Sequence, residues 1–137
     1  MEFFSKDELL AAAASAALPC EQVELTLGTV TKSVWVQGMS GTGRDAWEKS
    51  LIVGRGKRRD VNTENVRAKL AARCLVDQPG GSRLFTDSEA VLLGKLPAAV
   101  LNRIFEKAQR LSGVSDEDID ELGKSSAAAS SEDSSLS

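Results

Sequence analysis

VELTLGTVTKSVWV, residues 23–36, decides how this chain folds. Val23, Leu25 and Leu27 alternate with Glu24 and Thr26, the two-residue period of a strand with one buried face. After a turn around Gly28 to Lys32, Val34 and Val36 alternate around Trp35, and Gly38 ends the second arm. The stretch reads as an antiparallel β-hairpin. Helical signals flank it on both sides. Upstream, Ser5 can cap a helix over Lys6 to Ala17, where Asp7 and Glu8 suit the positive end, the alanine run has high propensity and Pro19 acts as a stop. Downstream of Ser40, GTGRDAWEKSLI places Ala46, Trp47, Ser50 and Leu51 on one helical face.

Further along, Asn62 can cap a helix running through Arg73, with Val66, Leu70 and Cys74 at four-residue spacing. Asp77-Gln78-Pro79-Gly80-Gly81 is turn chemistry between Cys74-Leu75-Val76 and Arg83-Leu84-Phe85, which suggests a short second hairpin. Thr86-Asp87-Ser88-Glu89 has the form of a capping box, and Gly94 ends the short helix that follows. Pro97 suits a first helical position. Val100, Leu101, Ile104, Phe105, Ala108 and Leu111 then form the most regular amphipathic stripe in the chain, with Gly113 as its stop. Ser115 to Asp118 can cap one more turn carrying Ile119 and Leu122. The expected fold class is α+β: an N-terminal β-hairpin followed by a helical C-terminal part, one domain over residues 1–122. Residues 123–137 are expected to form a disordered acidic, Ser-rich tail, since KSSAAASSEDSSLS has almost nothing to bury.

Composition limits the chemistry. A chain of 137 residues with four Phe, two Trp, no Tyr and no His has a core of Leu, Val, Ile and Ala. Without histidine there is no Ser-His-Asp triad, Cys-His dyad or histidine-containing zinc finger. Cys20 and Cys74 are far apart and read as reduced thiols rather than a redox pair. Gly38-Met39-Ser40-Gly41-Thr42-Gly43 lacks the Lys-Ser or Lys-Thr pair of a P-loop, and no strand pattern leads into Gly54-Arg55-Gly56-Lys57. Asp116, Glu117, Asp118, Asp120 and Glu121 lack EF-hand spacing and its central glycine. No catalytic, cofactor-binding or metal-binding residue is expected, so the chain reads as a non-enzyme. The longest apolar stretch, Leu9 to Leu18, is too short to span a membrane, and an intracellular, soluble protein is the expectation.

Charge is unevenly spread. Residues 44–73 hold nine basic and four acidic side chains, a net of +5, and residues 113–137 hold one and seven, a net of −6. Neighbouring copies could therefore attract one another head to tail. The loop 54–60 carries Arg55, Lys57, Arg58 and Arg59, which also raises a nucleic-acid-binding adaptor as an alternative. Against it, that loop has no aromatic side chains for base stacking, and the whole chain is acidic, with a pI of about 5.1.

The order of segments resembles a known family. Phe3-Phe4-Ser5-Lys6-Asp7 with Leu9-Leu10 opens it. Arg44-Asp45-Ala46-Trp47-Glu48, a basic loop and the Val66-Arg67-Ala68-Lys69-Leu70 helix follow. Arg83-Leu84-Phe85-Thr86-Asp87, the Leu101–Leu111 helix and Ser112-Gly113-Val114-Ser115 close it. Over residues 2–122 this resembles the short-form tail assembly chaperones of long-tailed, lambda-like bacteriophages and prophages. The resemblance implies a small α+β protein, free of cofactors, that associates with itself as a ring or spiral. It further implies that the protein coats the tape measure protein and recruits tail tube subunits in the host bacterial cytoplasm, and is absent from the mature virion. A longer frameshifted form exists for many members of that family. Candidate contact residues are Trp35, Met39, Trp47 and Leu51 with Arg55, Lys57, Arg58 and Arg59, and for each apolar one a place in the core is the alternative.

Overall fold

A computed structural model describes residues 2–14, 18–53, 60–61 and 65–122. Its order is α1 (Lys6–Ala14), β1 (Cys20–Leu27), β2 (Val30–Gln37), α2 (Gly41–Ser50), β3 (Ile52–Val53), β4 (Asp60–Val61), α3 (Val66–Cys74), β5 (Leu75–Val76), a 3₁₀ turn (Asp87–Glu89), α4 (Ala90–Leu93) and α5 (Ala98–Ser112). The hairpin and the helical remainder make it an α+β fold, as the sequence led us to expect. The expected disordered tail lies outside the described residues.

β1 and β2 pair antiparallel from Cys20↔Gln37 to Leu27↔Val30, so the turn is only Gly28–Thr29, tighter than the expected span to Lys32. Gly28 has φ +65° at the first of the two turn positions, where a side chain would be strained and glycine is not. The alternation works as read: Val23 and Leu25 are buried while Gln22, Glu24 and Thr26 are exposed. On the exposed face, Thr26 and Thr31 hydroxyls meet at 2.9 Å across the strands.

The third strand comes from far away in sequence. β5 lies against β2 through Trp35↔Val76 and Val36↔Leu75, giving the order β1-β2-β5. The expected hairpin with Arg83–Phe85 is reduced to one bridge, Val76↔Arg83, closed by Asp77 donating its amide to the Ser82 carbonyl. Leu75 and Val76 are buried, so their pairing follows the core rather than the adjacent turn.

α5 lies across β1, β2 and α3. Its stripe buries Val100, Leu101, Ile104, Phe105 and Ala108 against Leu70, Ala71 and Cys74 of α3 and Val36 of β2. Gly38 sits under the end of α5: a Cβ there would run into the Leu111 carbonyl, so only glycine permits this approach. α3 starts at Val66, behind Asn65 at φ 60°, a conformation asparagine tolerates; the expected cap at Asn62 lies outside the described residues. After Gly113, residues 116–122 are helical again. Ser115 and Asp118 cap that run reciprocally, and Ile119 and Leu122 pack on the core.

Candidate protein-binding surfaces

α1 is exposed along its whole length. Ser5 and Glu8 form a capping box, each side chain accepting the other residue's amide at 3.1 Å. Yet no residue of α1 is buried. Phe3, Phe4, Leu9 and Leu10 are 84%, 78%, 58% and 57% exposed. At ~200 Å² for a phenylalanine, these four side chains offer roughly 500 Å² of apolar surface, comparable with the whole largest patch of a typical monomer, about 300–600 Å². Nine residues are also too few for a stable isolated helix in water. A second exposed apolar group, Leu84, Val91 and Leu92, lies on and before α4, and Leu27 and Val30 mark the hairpin tip.

The structure divides the candidate contact residues into three groups. Trp47 and Leu51 are 0% and 1% exposed, core side chains with no surface to offer a partner. Trp35 and Met39 are half-buried, and Met39 packs on the core. Arg55, Lys57, Arg58 and Arg59 lie outside the described residues, between β3 and β4. That two-residue ladder, Ile52↔Val61 and Val53↔Asp60, brackets the basic loop with a strand pair that the sequence did not suggest. Sequence reasoning passed over α1 as a contact surface, because its charges, Lys6, Asp7 and Glu8, fall together in the first turn and the apolar residues after them run round every side, leaving no stripe to detect. What could have flagged it is two phenylalanines and two leucines beside a run of alanines, with no polar residue after Glu8 in the helix.

Four of the five described cations of the basic segment already have partners, and the fifth, Lys49, is exposed. Arg44 pairs with Glu48 at 3.1 Å and Asp118 at 3.6 Å. Arg67 donates to the Asn102 side-chain oxygen Oδ1 and stacks over Phe105 at 5.4 Å. Lys69 donates to the Ser50 carbonyl at 3.3 Å. Arg73 and Arg83 converge on Asp87 at 2.6 and 2.8 Å. Partial burial pushes the Asp87 carboxyl up, and the two guanidiniums outweigh it, so it ends below the ordinary value.

Cys74 is buried and its thiol is pushed up to about 11 by desolvation, against the opposing Ser112 hydroxyl and the charges of Arg83 and Arg73, so it is a poor nucleophile. Among the described residues, no three Cys, Asp or Glu side chains are placed to hold a metal ion. The glycine-rich run 38–43 is a helix entry: the Ser40 hydroxyl accepts the Gly43 amide at 3.0 Å and caps α2. Among the described residues, no helix is long and apolar enough to cross a membrane. What the described residues leave exposed is apolar surface, around α1 and around α4. Set against known protein families, curated proteins and solved structures, the chain matches none.

Proposed function

We propose that this chain is an assembly chaperone of the phage-tail type. It associates with itself, covers the long apolar tape measure protein, and gives way to tail tube subunits in the host bacterial cytoplasm. The observation that carries this reading is α1 with the residues just before it: a capped helix with none of its residues buried, presenting Leu9 and Leu10 beside the exposed Phe3 and Phe4. A protein that must hold an apolar client and later release it needs apolar area offered reversibly, without a reactive group. The order of segments over residues 2–122 supports the same reading through its resemblance to tail assembly chaperones.

A nucleic-acid adaptor draws less support. Arg44, Arg67, Lys69 and Arg73 would each have to leave a partner within the fold to meet a phosphate. Light scattering over a concentration series tests the proposal. Mass should rise above 14.6 kDa as protein is concentrated, with individually weak contacts at about micromolar affinity. A constant 14.6 kDa with salt-sensitive binding to DNA or RNA would favour the adaptor instead.

A further inference from the structure

β1 has one neighbour. The order β1-β2-β5 puts it at the edge of its sheet, and among the described residues no strand pairs with its outer side. A single bond tells which backbone groups point outward. The Gly38 amide donates to the Pro19 carbonyl at 2.8 Å, continuing the register in which Cys20 faces Gln37. Bonded and non-bonded pairs alternate along an antiparallel ladder, so the odd-numbered positions turn their N–H and C=O groups toward β2. Gln22, Glu24 and Thr26 therefore turn theirs to the open edge. Such a row is a template for another extended chain.

A separate observation says which chain fits. Arg103, Lys107 and Arg110, spaced by four and three residues, occupy one side of α5. With Val23 and Glu106 they line a groove of about 550 Å³ between α5 and β1. Glu21 accepts from both Lys107 and Arg110, at 3.0 and 2.9 Å. Arg103 is exposed and, among the described residues, has no ion-pair partner. Against the carboxylates of Glu106 and Glu21, the three cations leave the groove a net charge of +1, centred on Arg103 and set over Val23 beside an unpaired strand.

We infer that this edge and groove take up an extended segment of a partner protein that carries acidic side chains at alternate positions, added as a fourth strand beside β1. Backbone bonds to Gln22, Glu24 and Thr26 give the affinity common to any strand. The groove selects the side chains on one face: alternate residues of the added strand point toward α5, where Arg103 meets their carboxylates, and the residues between them fall on the opposite, exposed face beside Gln22, Glu24 and Thr26. A second copy pairing through its own β1 is a poorer occupant. A two-fold axis there brings Arg103, Lys107 and Arg110 against the same row, like charge on like. This surface is distinct from α1, and the inference stands or falls separately from the tail reading.

The test uses the whole chain and a fluorescein-labelled peptide alternating Glu and Val, read by fluorescence anisotropy. A peptide with Lys in place of Glu and an N-methylated Glu-Val peptide serve as controls. The acidic peptide should bind with about micromolar affinity and more weakly at high salt, and neither control should bind. Gln22→Pro removes one outward N–H at an edge position where proline is tolerated, and Arg103→Glu reverses the exposed charge. Each should weaken binding about tenfold or more, with the thermal midpoint close to wild type. Should Gln22→Pro fail to fold, Arg103→Glu and the N-methylated peptide still decide. No binding of the acidic peptide, equal binding of the lysine peptide, or unchanged affinity in Arg103→Glu would overturn the inference. So would concentration-dependent dimerisation that Gln22→Pro abolishes, since the edge would then belong to a second copy.

Discussion

Arg44 at the start of α2 reaches Asp118 across the fold, Nη2 to Oδ2 at 3.6 Å, while also holding Glu48 at 3.1 Å. Arg44 opens the basic middle of the chain, and Asp118 belongs to its acidic end. Part of the charge opposition that could draw copies together is therefore met inside a single copy. The proposed self-association then has to draw mainly on apolar surface, with residual charge steering the encounter.

Removing residues 2–14 should separate folding from association. Because α1 buries none of its residues, the thermal midpoint should move by no more than about 2 °C. Light scattering should show mass growth with concentration largely lost. A fall of many degrees would mean that α1 docks on its own domain.

Trp47 tests the opposite case. It is fully buried, so Trp47→Ala should cost roughly 3–5 kcal/mol, the range for emptying an aromatic site in a core. Urea unfolding measures this directly. Any loss of association in the variant should track the unfolded fraction alone.

Gly38→Ala should destabilise by about 1–3 kcal/mol, the usual cost of overpacking. The new methyl would press on the Leu111 carbonyl, which is backbone and cannot swing aside as a side chain would. The urea midpoint should fall with its slope unchanged. A wild-type midpoint would show that α5 can shift away from the hairpin at little cost.

Much of this architecture is legible in the sequence where the signal is local. The alternation of Val23 and Leu25, the stripe from Val100 to Leu111 and the Thr86–Glu89 capping box each depend on residues a few positions apart, and each appears where read. The placement of β5 against β2 does not, because Leu75 and Val76 meet Val36 and Trp35 across about forty residues. The same holds for the ion pairs of Glu21 with Lys107 and Arg110. Trp47 was ambiguous for another reason: an apolar residue on a helix face reads alike whether it faces the core or a partner. Only burial separates the two.

Four carboxyls sit below their ordinary values, which sets the sign of the acid response. Glu21 is lowered by its hydrogen bonds from Lys107 and then Arg110, Glu89 by the Thr86 amide and hydroxyl, and Asp118 by the Ser115 amide. At Asp87, partial burial raises the carboxyl but Arg83 and Arg73 outweigh it. Folded values below unfolded ones mean that the unfolded chain binds more protons, so this stability is present above the ordinary carboxylate range and lost on acidification. The urea midpoint should stay flat between about pH 8 and pH 6 and fall below about pH 4.5. Glu21→Gln should remove part of that fall. A midpoint that rises on acidification would contradict the assignment.

The central claim is that this chain covers an apolar client in many weakly held copies. Co-expression with a tape measure protein, followed by size-exclusion chromatography with light scattering, tests it most directly. The account predicts a soluble complex carrying several copies of the chain per tape measure molecule, and its loss when residues 2–14 are removed. A chain that elutes alone at 14.6 kDa, beside a tape measure protein whose solubility is the same with or without it, would contradict the account.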